Sequence, residues 1–262
     1  MNSRADFSDL MPRVFSAFVL VLVGLGGIWV GGVVFGVFLI AVAGLLGWEA
    51  SRMHSDKKII PCVYGLEIAA LVLSVMFLPL FWIFCITALV FVTALFGHHT
   101  RLAVVLTTIA IAITCTTLFV VRTHYGFDWV MWLVLVVVAS DVGGYFVGKL
   151  IGGWKLIPAI SPQKTWSGTL GGWALAAVVG AIAVWMGMSD LSLILMSILI
   201  AIAAQIGDLF ESVMKRRAGM KDSSNLIPGH GGLLDRFDGL MGASVAFGVV
   251  LVLGNPSLLG LS

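Results

Sequence analysis

Hydrophobic residues run through this chain in long, nearly unbroken stretches that are separated by short polar segments. A helix needs about 17–25 predominantly apolar residues to cross the ~30 Å hydrocarbon core of a bilayer. The pattern therefore predicts nine membrane-spanning helices, at about residues 14–30, 33–49, 60–78, 80–97, 102–121, 129–148, 169–187, 191–210 and 240–256. Because the stretches are continuous and do not alternate, they argue against a transmembrane β-barrel.

The composition agrees with an all-α integral membrane protein. Of the 262 residues, 60% are hydrophobic and 11% are charged, whereas soluble domains carry about 25% charged residues. The net charge of +2 gives no reason to expect a nucleic-acid partner.

The basic residues predict how the chain is oriented. With nine spans and a cytoplasmic N-terminus, fourteen of the 15 Lys and Arg residues fall in cytoplasmic segments, and Arg122 alone falls outside. Cytoplasmic loops of membrane proteins are enriched in Lys and Arg. We therefore expect the N-terminus inside and the C-terminus outside.

The polar motifs divide the chain into two parts. Residues 1–128 are expected to form five N-terminal membrane helices, in which Glu49 and Glu67 make interfacial or interhelical hydrogen bonds. Residues 129–262 are expected to form a catalytic part of four helices, with cytoplasmic motif loops at 149–168 and 211–239.

The first polar motif lies inside the sixth predicted span. Asp141 is about seven residues from its cytosolic end, roughly 10 Å deep at about 1.5 Å per residue. An ionisable residue at that depth is costly and is a candidate functional residue; the alternative is a buried pair with a lysine. The overlapping G-x-x-x-x-G-K-L from Gly143 to Leu150 lacks the final Ser or Thr of a phosphate-binding loop and lies within a helix, so we reject it.

The second polar motif precedes the seventh span. The loop from Ser161 to Gly168 contains a short polar turn, which Pro162 and Gly168 bracket and which includes Lys164 and Thr165. Free N–H groups and the dipole at a helix N-terminus attract anions, so the turn is a candidate phosphate site. The alternative is a linker whose lysine serves only the orientation of the chain.

The third polar motif, residues 207–239, holds ten of the chain's 28 Asp, Glu, Lys and Arg residues. Asp208, Glu211, Ser212 and Lys215 are spaced i, i+3, i+4 and i+7, so they share one face of a helix that continues past the eighth span. The spacing predicts a polar stripe at the end of this helix.

Two further acids begin the ninth span. Asp235 and Asp238 are spaced i, i+3, and together with Asp208 they predict an oxygen-rich cage of the kind that Mg²⁺ prefers. Basic residues between the two groups of acids would bind phosphate oxygens. The glycines around His230 permit tight turns and close approach of a ligand. A solvated loop of mixed charge is the alternative.

These motifs resemble a known family. Residues 212–238 read S-x-x-K-R-x₄-K-D-x-S-x₂-I-P-x-H-G-G-x₂-D-R-x-D, which closely resembles the signature of phosphatidate cytidylyltransferases, also called CDP-diacylglycerol synthases. S-D-x-x-G-Y at 140–145, S-P-x-K-T at 161–165 and G-D-L-x-E-S at 207–212 also resemble that family. The similarity covers residues 140–239. Ser167 stands where the family often has Glu, so we give residue 167 no catalytic role.

The resemblance implies a reaction, a fold and a set of site residues. CTP and phosphatidic acid would give CDP-diacylglycerol and pyrophosphate with Mg²⁺, and a second cation is an open alternative. The enzyme would be an all-helical homodimer in the lipid bilayer. A bacterial cytoplasmic membrane is expected because the chain is compact and shows no targeting extension. The expected metal ligands are Asp208 and Asp235, with Asp238 and Asp141 nearby. Catalytic roles are expected for Asp208, Asp235, Lys215 and His230. Substrate contacts are expected from Ser161, Lys164, Thr165, Ser212, Arg216, Lys221, Asp222, Gly231, Gly232 and Arg236.

Two other functions compete with this interpretation. A secondary transporter would place its site near the bilayer midplane between related repeats, whereas these acids crowd one rim. A lipid transferase that uses CDP-alcohols or polyprenyl phosphates would need a second D-x-x-D-rich element, and the sequence shows none. His230 is expected to donate a hydrogen bond to phosphate or backbone, with an acid–base role as the alternative.

Overall fold

The computed structural model describes residues 10–254, and within that range the chain forms nine α-helices and one β-hairpin. The helices are α1 (Leu10–Val30), α2 (Gly32–Arg52), α3 (Ile59–Phe77), α4 (Leu80–Gly97), α5 (Arg101–Val120), α6 (Phe127–Ile151), α7 (Trp166–Trp185), α8 (Ser192–Arg217) and α9 (Leu234–Gly254). A π-helical turn, Val121–Tyr125, continues α5. The strands are β1 (Lys155–Ile157) and β2 (Ser161–Thr165).

The nine helices confirm the predicted all-α membrane architecture. Eight of them, α2 to α9, are long and apolar enough to cross a membrane, and the apolar part of α1, Val14–Val30, is shorter. Several helices extend beyond the hydrophobic stretches, most of all α8, which continues to Arg217. At this end of α8, Asp208, Ser212 and Lys215 lie on one face of the helix, as their spacing predicts.

The breaks between the first helices follow the sequence closely. Gly31 has a φ of 68°, a left-handed conformation that favours glycine, and it separates α1 from α2. The Arg122 guanidinium donates to the carbonyl oxygens of Ile28 and Trp29 (Nη2 to Trp29 O, 3.0 Å). It thereby satisfies two of the carbonyls that lack an intrahelical partner at the end of α1.

Small residues let the helices of the C-terminal part pack backbone against backbone. A methyl group on Gly143 of α6 would lie 2.7 Å from the Gly171 carbonyl oxygen of α7, and one on Gly168 would lie 2.5 Å from that of Gly144. Glycine at these positions lets the two helix backbones approach closely, as small residues do in membrane proteins. The α6–α7 pair is therefore held at a separation that only glycine permits.

Polar side chains within the membrane helices bond to neighbouring helices. The Thr93 hydroxyl of α4 donates to Glu67 of α3 at 2.9 Å, which confirms the interhelical hydrogen bond expected for Glu67. The Trp132 indole N–H of α6 donates to Ser197 of α8 at 3.0 Å. These bonds satisfy groups that find no water in hydrocarbon.

The segments predicted as motif loops are more ordered and shorter than expected. Residues 155–165 form an antiparallel hairpin in which Lys155 pairs with Thr165 and Ile157 with Ser161. The prediction of a simple turn from 161 to 168 was therefore wrong. The strands satisfy the backbone there, and Thr165 caps α7 by accepting from the Gly168 N–H at 3.1 Å. The second loop narrows to 218–233, which we call the motif loop.

Candidate functional site

A cavity of about 690 Å³ lies among the C-terminal part of α6, the β-hairpin, the start of α7 and the later part of α8. The helices reach their ends here, so the cavity sits at one end of the bundle. Five of the residues singled out from the sequence line it, namely Asp141, Ser161, Lys164, Thr165 and Asp208.

An ion pair joins the hairpin to α8 across the cavity. The Lys164 ammonium contacts Oδ2 of Asp208, and both side chains are about a quarter to a third exposed (26% and 30%). The Ser212 hydroxyl donates to Oδ1 of the same carboxylate at 3.3 Å, as the i, i+4 spacing on one helix face predicts. Lys164, which was predicted to bind phosphate, is thus held beside Asp208, which was predicted to bind the metal ion.

Asp141 contributes a further carboxylate to the cavity wall. It lies within electrostatic range of both Asp208 and Lys164. Asp141 forms no ion pair with any side chain that the structure describes. The structure therefore does not support the alternative of a buried pair with a lysine.

The cavity also contains polar residues that the sequence analysis did not assign to the site. The Gln205 side chain accepts from the Trp173 indole at 3.0 Å and donates to the Ser140 hydroxyl at 3.4 Å. Lys149 donates to the Tyr145 hydroxyl at 3.3 Å. The remaining polar additions are Lys155, Gln163 and Thr169.

Helical spacing could have identified one of the two additional lysines. Asp141, Tyr145, Gly148 and Lys149 follow the i, i+4, i+7, i+8 pattern of a single helix face. Lys149 was interpreted only as a residue that orients the chain. With Lys155 and Lys164, it gives the cavity three ammonium groups.

A second charged cluster lies between α8 and α9. Lys215, 14% exposed, pairs with Glu211 Oε2 at 2.6 Å and with Asp235 Oδ1 at 2.8 Å. Those carboxylate side chains are only 1% and 7% exposed. The Lys215 ammonium, which was predicted to bind phosphate, is thus paired with two buried acidic side chains in this structure.

Asp235 also holds the motif loop. Its Oδ2 accepts from the backbone N–H of Gly232 at 2.7 Å, from the N–H of Ser223 at 3.0 Å and from the Ser223 hydroxyl at 3.1 Å. A methyl group on Gly231, which has a φ of 80°, would lie 2.8 Å from the same oxygen. Both oxygens of Asp235 therefore already have partners.

The predicted metal ligands lie in two neighbouring clusters that Asp238 connects. Asp238 is within electrostatic range of Asp208 and Asp141 and also of Lys215 and Glu211, and Asp235 interacts with Lys215 and Glu211. In the part of the chain that the structure describes, no three His, Cys, Asp or Glu side chains converge as metal ligands. Mg²⁺ usually takes one or two carboxylates and completes its octahedron with water and substrate phosphates. Asp208 together with Asp141 or Asp238 would fit that requirement.

The remaining predicted residues shape the motif loop or lie on its surface. Ring nitrogen Nδ1 of His230 is 2.8 Å from the Ser16 hydroxyl of α1, and Arg236 donates to the His230 carbonyl (Nη2, 2.7 Å). A methyl group on Gly232 would meet Ser223 and Glu49 side chains. The exposed side chains are those of Arg216, Lys221, Asp222 and Arg236.

Glu49 has hydrogen-bond partners that are distant in the chain and that the sequence did not identify. It was expected to make an interfacial or interhelical hydrogen bond. It is fully buried at the end of α2 and accepts a hydrogen bond from Leu234, the first residue of α9, which confirms the interhelical bond. The further hydrogen bonds from Ser223, Ser224 and Leu233 were not expected. The N-terminal helices therefore contact the motif loop directly.

Known proteins share these features of sequence. The cytidylyltransferase family model matches residues 11–253. A phosphatidate cytidylyltransferase of Brucella suis biovar 1 (strain 1330) is 34% identical over 253 residues, which cover 90% of this chain and 91% of the relative. One of Helicobacter pylori (strain J99 / ATCC 700824) is 45% identical over 139 residues, 51% of each chain. One of Mycobacterium bovis (strain ATCC BAA-935 / AF2122/97) is 41% identical over 130 residues, 49% of this chain and 42% of the relative.

Proposed function

The chain belongs to the cytidylyltransferase family, and we propose that it transfers the cytidylyl group of CTP to phosphatidic acid in phospholipid biosynthesis. The products are CDP-diacylglycerol and pyrophosphate. The observation that carries the proposal is the cavity at the helix ends, where Asp141, Asp208 and Lys164 meet. A secondary transporter would place such charges near the bilayer midplane.

The chemistry needs little help from a general base. A phosphate monoester has its second pKa near ~6, so the lipid phosphate is already largely ionised at neutral pH. One of its oxygens forms a bond to the α-phosphorus of CTP as the bond to the pyrophosphate oxygen breaks. His230 is bonded to Ser16 and is not among the residues lining the cavity, which supports a hydrogen-bonding role for it.

The main obstacle is the repulsion between two polyanions. Lys149, Lys155 and Lys164 in the cavity wall would neutralise phosphate oxygens. The ion pair of Lys164 with Asp208 would then be exchanged for contacts with substrate. Positioning and electrostatic stabilisation are the main catalytic contributions in phosphoryl-transfer enzymes.

We further propose that Mg²⁺ binds beside the carboxylates of Asp208, Asp141 and Asp238. One or two of them would supply oxygen ligands, and a second cation is an alternative. Asp235 remains a predicted ligand, although it would have to give up a hydrogen bond to the motif loop. The ion would supply charge neutralisation and orientation of phosphate oxygens.

The cellular setting follows from the same reasoning. The relatives are bacterial proteins, so we propose a multi-pass protein of the bacterial cytoplasmic membrane. The cavity would face the cytoplasm, where CTP occurs and where the positive-inside rule puts the basic loops. A homodimer is expected from the family resemblance.

One experiment tests the activity and the site together. Purified protein is incubated with labelled CTP, phosphatidic acid and Mg²⁺, and CDP-diacylglycerol is measured. We expect Asp208→Asn to lower turnover by about 10²–10³-fold, a typical cost of losing one transition-state contact. The control is Asp190→Asn, the same change at an exposed residue before α8, which should leave turnover unchanged. Wild-type protein that forms no CDP-diacylglycerol would refute the proposed activity, and a fully active Asp208→Asn protein would refute the site.

A further inference from the structure

The N-terminus of α9 is capped by a side chain from a distant helix. The backbone N–H groups of Leu233 and Leu234 donate to the Glu49 carboxylate of α2 at 2.9 and 2.6 Å. Since α9 begins at Leu234, these N–H groups are among those that lack an intrahelical partner. A carboxylate is also favoured at the positive end of a helix dipole. Glu49 therefore performs for α9 the task that a local capping residue usually performs.

The same carboxylate binds the other end of the motif loop. The Ser224 hydroxyl donates to Oε1 and the Ser223 hydroxyl lies 3.3 Å from Oε2. Glu49 is completely buried, and a methyl group on Gly232 would lie 2.6 Å from its Oε1. Residues 223–234 are thus closed into a ring around one buried side chain.

A continuous chain of polar contacts leads from Glu49 to the charged cluster of α8. The Ser223 hydroxyl lies 3.1 Å from Asp235 Oδ2, and Asp235 pairs with Lys215. Because a hydroxyl carries one hydrogen, Ser223 donates to either Glu49 or Asp235 at any moment. The position of the first turn of α9, which carries Asp235 and Asp238, consequently depends on α2.

We infer that Glu49 is a positioning residue for cytidylyl transfer, an assignment that rests on the proposed function. Glu49 is not among the residues lining the cavity, so it acts through the motif loop and the acids of α9. Misplacement of a reacting group by about 1 Å can lower a rate by about 10²-fold. Loss of the Glu49 contacts should therefore reduce turnover in protein that is still folded.

The first test compares two identical substitutions at buried glutamates. Glu49→Gln presents an amide N–H₂ to a site built from donors, and we expect turnover per folded molecule to fall about 10–100-fold. Glu49→Asp keeps the carboxylate and should recover part of the activity. The matched control, Glu67→Gln, alters a carboxyl that bonds to Thr93 of α4, and its turnover should stay within about twofold of wild type.

The second test measures the motif loop without substrate. A nitroxide label is attached at Asn225→Cys, an exposed loop position, after Cys62, Cys85 and Cys115 are replaced by alanine. We expect greater label mobility in Glu49→Gln and no change in Glu67→Gln. A role in overall stability alone would lower the yield of folded protein and leave both turnover and label mobility as in wild type.

The outcomes separate this inference from the proposed function. A Glu49→Gln protein whose label stays immobile, or whose turnover stays within about twofold of wild type, overturns the positioning role. Absence of CDP-diacylglycerol with wild-type protein refutes the proposed activity, while the label still reports on the loop. If Glu49→Gln does not fold, Ser224→Ala removes one donor from the loop side and should show the same two effects at smaller size, and its failure to do so is equally decisive.

Discussion

Removal of the Lys215 ammonium should be the most destabilising single charge change in the C-terminal part of the protein. This ammonium neutralises two carboxylates, Glu211 at 2.6 Å and Asp235 at 2.8 Å, whose side chains are 1% and 7% exposed. Breaking a buried ion pair typically costs about 3–5 kcal/mol, because the remaining charge has no partner. In Lys215→Met, two carboxylates would be left in that state.

The expected size of the effect is measurable by thermal unfolding in detergent. A loss of about 1 kcal/mol lowers Tm by about 2–4 °C in a protein of about 150–250 residues, so Lys215→Met should lower Tm by roughly 6–20 °C. The control is Arg217→Met, which removes an exposed charge two positions along the same helix and should shift Tm by less than about 2 °C.

A compensating substitution tests the physical cause. Glu211→Gln in the Lys215→Met background removes one of the two unneutralised carboxylates and should restore part of the lost stability, as a coupled pair of sites requires. A Lys215→Met protein with the Tm of wild type would show that the cluster does not need its cation. A double variant less stable than Lys215→Met would refute the electrostatic explanation.

Two further changes probe helix packing and pH dependence. Gly242→Ala places a methyl group against the Ala203 carbonyl oxygen of α8, so it should force α8 and α9 apart and cost about 1–3 kcal/mol; Gly24→Ala, which meets nothing within 4 Å, should not lower Tm. Burial, and next the charge of His98, lower the pKa of His54 from 6.5 to about 4. The unfolded chain therefore binds this proton first, and stability should fall as pH decreases from about 6.5 to 4, by up to about 3 kcal/mol. In His54→Gln, Tm measured at several pH values should fall less over that range, and an equal fall would contradict the assignment.

The parts of the fold and site that follow local periodicity were predictable from the sequence. Unbroken apolar stretches predicted the nine helices, and Gly31 and Pro79 lie between successive helices. The i, i+4 spacing of Asp208 and Ser212 correctly predicted a shared helix face. These features depend on residues close together in the chain, so the sequence displays them directly.

The parts that depend on distant contacts were not predictable in the same way. The hairpin at 155–165 contains prolines and few alternating residues, so it gave no strand signal. Glu49 is separated from its partners Ser223 and Leu234 by more than 170 positions, and no local pattern indicates such a contact. Lys149 and Lys155 were explained by the orientation of the chain alone, so their position in the cavity wall was not predicted.

The glycine contacts between α6 and α7 restrict how this site can change during evolution. One wall of the cavity is main chain pressed on main chain at Gly144 and Gly168. A methyl group on Gly168 would lie 2.5 Å from the Gly144 carbonyl oxygen and would push the two helices apart. Altered selectivity for the lipid or nucleotide must then arise mainly in the hairpin, where Leu156 and Gln163 project replaceable side chains into the same space. Enzymes descended from a common ancestor should accordingly keep the paired helices and diversify the hairpin first.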